Sequence, residues 1–234
     1  MHNGSPALIV VPLLLLLASG FAGSTQAFDF AFYISALTLT PFLFLPHWPF
    51  NLLIPVLLYL AVVLLMSRLR NEIVWLRAGR IDKNIVLLII ITAVISGMGL
   101  YVWYRSLNPD LSGHIAYIPS MPVWVFPFAG LGFSVFNAAM EEFVFRGIIM
   151  QSLDSAFGPG ALSIIVQAWL FGALHYQQGL PNGLWGLGMV FIYGIMLGVI
   201  RRRSGGMLAP WVAHICADMV IFTILSAIVL GKQG

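Results

Sequence analysis

Long apolar runs separated by short polar gaps dominate the chain. An apolar helix of about 18 or more residues is long enough to cross the ~30 Å hydrocarbon layer of a bilayer. By hydropathy and helix breakers the sequence predicts spans at 7–24, 29–46, 51–67, 84–104, 128–153, 161–178, 184–200 and 207–230. The expected fold class is therefore all-α, a polytopic membrane protein with about eight transmembrane helices. Pro46, His47, Trp48 and Pro49 mark one turn, Gly158, Pro159 and Gly160 a second, and Pro181, Asn182 and Gly183 a third. Pro41 interrupts the second span, and Pro119, Pro122 and Pro127 predict a bent approach to the fifth. Tyr101, Trp103, Tyr104, Tyr117 and Trp124 flank that approach in the manner of an interfacial aromatic belt.

Composition agrees with the pattern. Of 234 residues 60% are hydrophobic and 8% charged, with mean hydropathy +0.98, whereas about a quarter of the residues in a soluble domain are charged. A single membrane domain over 1–234 is expected, with a motif-bearing core at 128–220. Cys216 is the sole cysteine, so neither an intramolecular disulfide nor a cysteine-held zinc ion is available. The pI near 9.2 comes from lysines and arginines in short loops, as topology signals rather than a nucleic-acid surface. Arg68, Arg70, Arg77, Arg80 and Lys83 follow the third span, and Arg201, Arg202 and Arg203 follow the seventh. Eight spans put both groups on one side, with only Arg105 and Lys232 opposite, so loops 68–83 and 201–206 are expected in the cytoplasm. The 68–83 loop reads as an orientation signal in preference to a lipid-binding surface. The run 7–24 lacks the basic segment of a signal peptide, and a retained helix is expected over cleavage after Ala27.

Six ionisable residues fall inside apolar spans: Glu141, Glu142, Arg146, His175, His214 and Asp218. Each costs at least a few kcal/mol at such depth unless paired or solvated in a cavity. At ~3.6 residues per turn, Glu142 and Arg146 share a face and can form an i,i+4 ion pair. Glu141 points about 100° away from Glu142, on the face of Asn137. Phe171 with His175, and His214 with Asp218, likewise share faces. Three helices can thus converge a carboxylate, two imidazoles and a second acid on one pocket.

Read in order, Glu141 to Arg146 is EExxxR, Phe171 to His175 is FxxxH and His214 to Asp218 is HxxxD. This ordered triplet resembles the CAAX protease and bacteriocin-processing family, over roughly 128–220. The resemblance implies a helical intramembrane peptidase of the group that includes the type II CAAX prenyl endopeptidases, which remove three residues after a prenylated cysteine. Other branches process bacteriocins, signalling peptides or C-terminal sorting tails. An integral protein of a prokaryotic cytoplasmic membrane is expected.

Amide hydrolysis needs an activated nucleophile and a stabilised oxyanion, and the residues supply both. Glu141 is the expected general base on water, with His175 orienting that water. His214 and Asp218 are expected to face the carbonyl oxygen; Asp218 must then be protonated or act through His214, because an ionised carboxylate repels an oxyanion. Glu142, Arg146, Phe171 and Asn137 are expected to support the site. No cofactor is expected; a metal-dependent rival would use Glu141, His175, His214 and Asp218 as ligands, although no HExxH occurs. Two further rivals are a proton-coupled transporter and a catalytically idle immunity or scaffold protein. The glycines at 183, 186, 188, 194 and 198 read as helix-packing positions. The expected partners are the bilayer and a membrane-associated protein or peptide substrate, with no nucleic acid.

Overall fold

The computed structural model describes residues 14, 17, 27–28, 30–36, 49–67, 70, 73, 75–177 and 179–231. All but residues 14 and 17 of the expected span 7–24, the turn residues 46–48 and most of span 29–46 lie outside the described residues. Among the described residues all regular structure is helical. The elements are α1 (Phe50–Leu65), α2 (Lys83–Leu107), the single turn α3 (Ser112–Ile115), α4 (Phe126–Glu142), a π-helical turn (Phe143–Ile149), α5 (Met150–Phe157), α6 (Ala161–Gln177), α7 (Gly183–Ser204) and α8 (Leu208–Gly231).

Among the described residues four helical stretches are long and apolar enough to cross a membrane: Lys83–Leu107, Val123–Phe157, Gly183–Ser204 and Leu208–Gly231. The chain is an integral membrane protein on that basis. α1 and α6, with 16 and 17 residues, are apolar but reach only ~25 Å at 1.5 Å per residue.

Helix ends follow local chemistry. Asp82 caps α2, its Oδ1 accepting from the backbone N–H groups of Asn84 and Ile85 at 3.0 Å each. The prolines before α4 give the bent entry that their spacing predicts: α3, a short turn, then a 3-10 turn at Val123–Val125 leading into α4. α7 runs on through Arg201, Arg202 and Arg203 to Ser204 and stops at Gly205, whose φ is 69°. Those three arginines therefore sit in the last helical turn and not in a loop, where positive charge offsets the negative end of the helix dipole.

The chain divides into two compact units, 1–77 with 143–163 and 78–142 with 164–234. In the first, Phe143 receives the ring edges of Tyr59 and Trp75 at centroid distances of 5.7 and 4.9 Å. A Cβ on Gly147 would fall 2.7 Å from the Trp75 ring, so the indole requires glycine there.

In the second unit α8 packs against α4, α2 and α7. Leu100, Trp103, Leu111, Leu180, Ile224 and Leu225 form one core cluster, with Tyr104 packed on it. Trp103 and Tyr104 thus belong to the core and not to the expected aromatic belt, whereas Tyr101, Tyr117 and Trp124 are exposed. With lipid tails as apolar as the side chains, helix association rests on close packing and interhelical hydrogen bonds. Gly194 provides the first, because a Cβ there would lie 2.9 Å from Ala168 Cα. Gln167, fully buried, provides the second by donating from Nε2 to the Ile164 and Gly194 carbonyls at 2.9 Å. Gly186 and Gly198 are also tightly enclosed, but a Cβ on Gly183 or Gly188 would meet nothing within 4 Å. Those two glycines are not packing positions.

Candidate active site

The site lies within the second unit, on α4, α6 and α8. Its centre is His214, on the second turn of α8 and buried. Nδ1 lies 2.7 Å from Glu142 Oε1. Nε2 faces two other carboxylates, 3.5 Å from Glu141 Oε2 and 3.7 Å from Asp218 Oδ1. The direction of this short contact follows the tautomer of His214; toward an ionised Glu142, which can only accept, the hydrogen lies on Nδ1. The Nε2 distances exceed those of direct hydrogen bonds.

Asn137, one turn before Glu141 on α4, ties the acids together. Its Nδ2 donates to Glu141 Oε1 at 3.3 Å and to Asp218 Oδ2 at 3.1 Å. One amide group with two hydrogens thus bridges carboxylates from two helices. Trp211 fastens the same pair of helices by donating from Nε1 to the Val135 carbonyl at 3.0 Å. Of the acids, Glu141 keeps 15% of its side-chain surface exposed, against 1% for Glu142 and 6% for Asp218. Glu141 is the carboxylate that a substrate or water reaches most readily.

Phe171 stands between the two histidines, 4.9 Å from the His175 ring and 5.9 Å from the His214 ring, edge-on to both. Its own carbonyl meets His175 Nδ1 at 3.0 Å, which fixes the ring on α6. The opposite edge of His175 lies against Gly179, where a Cβ would fall 2.6 Å from Cδ2. Tyr193 closes the remaining side of His214, edge-on at 5.5 Å, with its hydroxyl donating to the Ala213 carbonyl at 3.3 Å.

The structure therefore brings Asn137, Glu141, Glu142, His214 and Asp218 into one polar cluster and sets His175 beside it across Phe171. Arg146 lies on the π-helical turn, fully buried, with its guanidinium 5.9 Å from the centre of the Phe145 ring. The i,i+4 relation between Glu142 and Arg146 assumes α-helical spacing, whereas the helix widens to i→i+5 bonding directly after Glu142. Glu142 also has a role that its spacing to Arg146 did not reveal, as the partner of His214 Nδ1. Tyr193 is likewise a site neighbour with no signal in the sequence beyond lying on an adjacent span. Among the described residues no group of three or more His, Cys, Asp or Glu side chains is arranged to hold a metal ion.

The class that fold and site define is an integral membrane protein enclosing a cluster of acids and histidines among its helices. Residues 122–220 match the family model described as type II CAAX prenyl endopeptidase Rce1-like. That is a protease family, and the matched segment contains all three motifs from which the resemblance was read. No curated protein and no solved structure matches the chain.

Proposed function

We propose that this protein is an intramembrane endopeptidase that cleaves a membrane-associated protein or peptide, prenylated or anchored through its C-terminus, with water activated by Glu141. The observation that carries this reading is His214 Nε2 facing Glu141 and Asp218 at 3.5 and 3.7 Å, with both acids held by Asn137. A water in reach of Glu141 would give up its proton to that carboxylate as it attacks the amide carbon. The oxyanion that forms on the carbonyl oxygen would be stabilised by donors already aimed at the same point. His214 is one when its ring carries a hydrogen on both nitrogens, Nδ1–H held by Glu142 and Nε2–H facing the carbonyl oxygen. Asp218 is the other when it carries a proton, and otherwise holds His214 in place. The proton on Glu141 would then pass to the leaving amine. His175 would orient the water from the α6 side.

The proposal includes eight spans, with the 68–83 loop and the 201–206 segment, the basic end of α7 and its turn, in the cytoplasm of a prokaryotic cell. Since a glutamate base needs no Lewis acid to deprotonate water, purified protein stripped of metal should keep its activity. Loss on stripping with recovery by stoichiometric zinc would replace Glu141 as base by a metal centre. The substrate is found by comparing C-termini in the membrane proteomes of cells carrying the wild type and Glu141→Gln. Uncut tails should accumulate in the variant; identical C-termini in the two would overturn the peptidase reading.

A further inference from the structure

A second polar feature lies away from the catalytic group, at the start of α2. The segment Ala78–Arg80 is stitched to the turn between α7 and α8. Arg80 N–H donates to the Ser204 carbonyl at 2.9 Å and Leu208 N–H donates to the Ala78 carbonyl at 3.2 Å. The two strands of chain approach so closely that a Cβ on Gly79 would fall 2.6 Å from Gly206 N. This junction brings together two arginines that are 123 residues apart in sequence.

Arg80 and Arg203 line one cavity of about 460 Å³ together with Asp82, Asn84, Ile85, Leu87 and Leu88. Arg80 is held by its Nε, which donates to the Arg203 carbonyl at 3.2 Å and lies 3.5 Å from Asp82 Oδ2. Its terminal nitrogens remain for a ligand. The Arg203 guanidinium has no partner among the described residues. The one acid in the lining is already engaged, Asp82 Oδ1 capping α2 and Oδ2 facing Arg80. Directly below the arginines the α2 surface is an exposed apolar stripe of Leu87, Ile91, Val94 and Met98. Two cations above an apolar stripe, where a membrane helix begins, match a molecule with an anionic head and an acyl chain.

We propose that this cavity binds the phosphate headgroup of an anionic phospholipid, Arg80 and Arg203 contacting the phosphate and one acyl chain lying along the Leu87 and Ile91 face of α2. The stitched turns make the site, because only the junction places both guanidinium groups at one cavity. A bound lipid would in turn fix the start of α2 against the end of α7.

The test uses purified full-length protein in neutral detergent micelles doped with either phosphatidylglycerol or phosphatidylcholine, read by native mass spectrometry for retained lipid and by thermal unfolding. Phosphatidylglycerol should be retained preferentially and raise the unfolding midpoint. Arg203→Gln should weaken its retention about fivefold, the loss typical of one basic residue near an anionic lipid surface, and Arg203→Lys should keep most of it. Arg203 is exposed and its side chain makes no hydrogen bond or ion pair among the described residues, so its variants should fold. Arg80→Gln with Arg203→Gln should abolish the preference. Equal retention of the two lipids by the wild type, or unchanged phosphatidylglycerol retention in Arg203→Gln, would overturn the proposal. An equal stabilisation by inorganic phosphate at the same concentration would assign the cavity to a free anion and overturn it as well.

Discussion

Two adjacent glutamates meet the same imidazole through different nitrogens, and that difference divides their work. Glu142 takes the short, buried contact with Nδ1, while Glu141 stands beside Nε2 with more of its surface open. Glu141→Gln keeps shape and can still accept from Asn137, but cannot take a proton. Cleavage should fall at least ~100-fold, the lower end of what a positioned base supplies, with unfolding in detergent unchanged. Glu142→Gln can still accept from Nδ1 but removes the charge from a buried contact, worth ~1.5–3 kcal/mol or a ~10- to 100-fold loss of kcat per folded molecule. It should also lower the unfolding midpoint. Full activity in Glu141→Gln would remove the proposed base. Asn137 offers a sharper comparison, because its two donors serve two acids. Asn137→Ala leaves those acids untied, whereas Asn137→Asp places a third acid against them and should be the less active of the two. Equal or higher turnover in Asn137→Asp, measured with matched protein levels, would show that donation by Asn137 is not what the site needs.

Between helices, backbone approach sets what each position tolerates. Gly194→Val pushes a branched side chain into Ala168, where even a Cβ would be 2.9 Å from the backbone, and should destabilise the α6 and α7 pair by ~1–3 kcal/mol. Gly188→Ala, on the same helix with nothing within 4 Å of the added carbon, should be neutral or stabilise by up to ~1 kcal/mol. Midpoints of thermal unfolding in one detergent decide both. Equal midpoints for the two variants would mean that α7 shifts freely against α6. The contrast also marks what a sequence can reveal. Uniform apolarity placed the spans 84–104, 161–178, 184–200 and 207–230 within a few residues of α2, α6, α7 and α8, because length and hydropathy are local properties. Helical spacing likewise put His214 on the face of Asp218 and Asn137 on the face of Glu141, and both pairs meet. Which of five glycines are crowded, that Trp103 faces inward and that Glu142 reaches His214 all depend on how α8, α7 and α4 are rotated against one another. No local pattern sets those rotations. The π-helical turn after Glu142 is of the same kind, since EExxxR reads as α-helical until backbone bonding shows otherwise.

At the scale of the whole molecule the question is orientation, and the stitched turns constrain it. Ala78–Arg80 and Ser204–Leu208 bond to one another, so the start of α2, the end of α7 and the start of α8 share one side of the membrane. In the proposed topology α2 crosses outward from that side, the stretch Val123–Phe157 returns, α6 crosses outward and α7 returns. The trace closes at Ser204 only if the shorter α6 crosses too. Arg80, Lys83 and Arg201 to Arg203 fall on the shared side, which is the cytoplasmic one in the orientation proposed above from the bias of basic residues. In a Cys216→Ser background, Ile81→Cys and Arg203→Cys should react with an impermeant maleimide only after the cells are opened. Tyr117→Cys and Leu184→Cys, exposed at the other ends of the helices, should react in intact cells. Labelling of 81 and 203 from outside, with 117 and 184 protected, would keep the junction and reverse the orientation. Labelling of 81 and 203 from opposite sides would be incompatible with the hydrogen bonds that join them, and would remove α6 as a crossing helix.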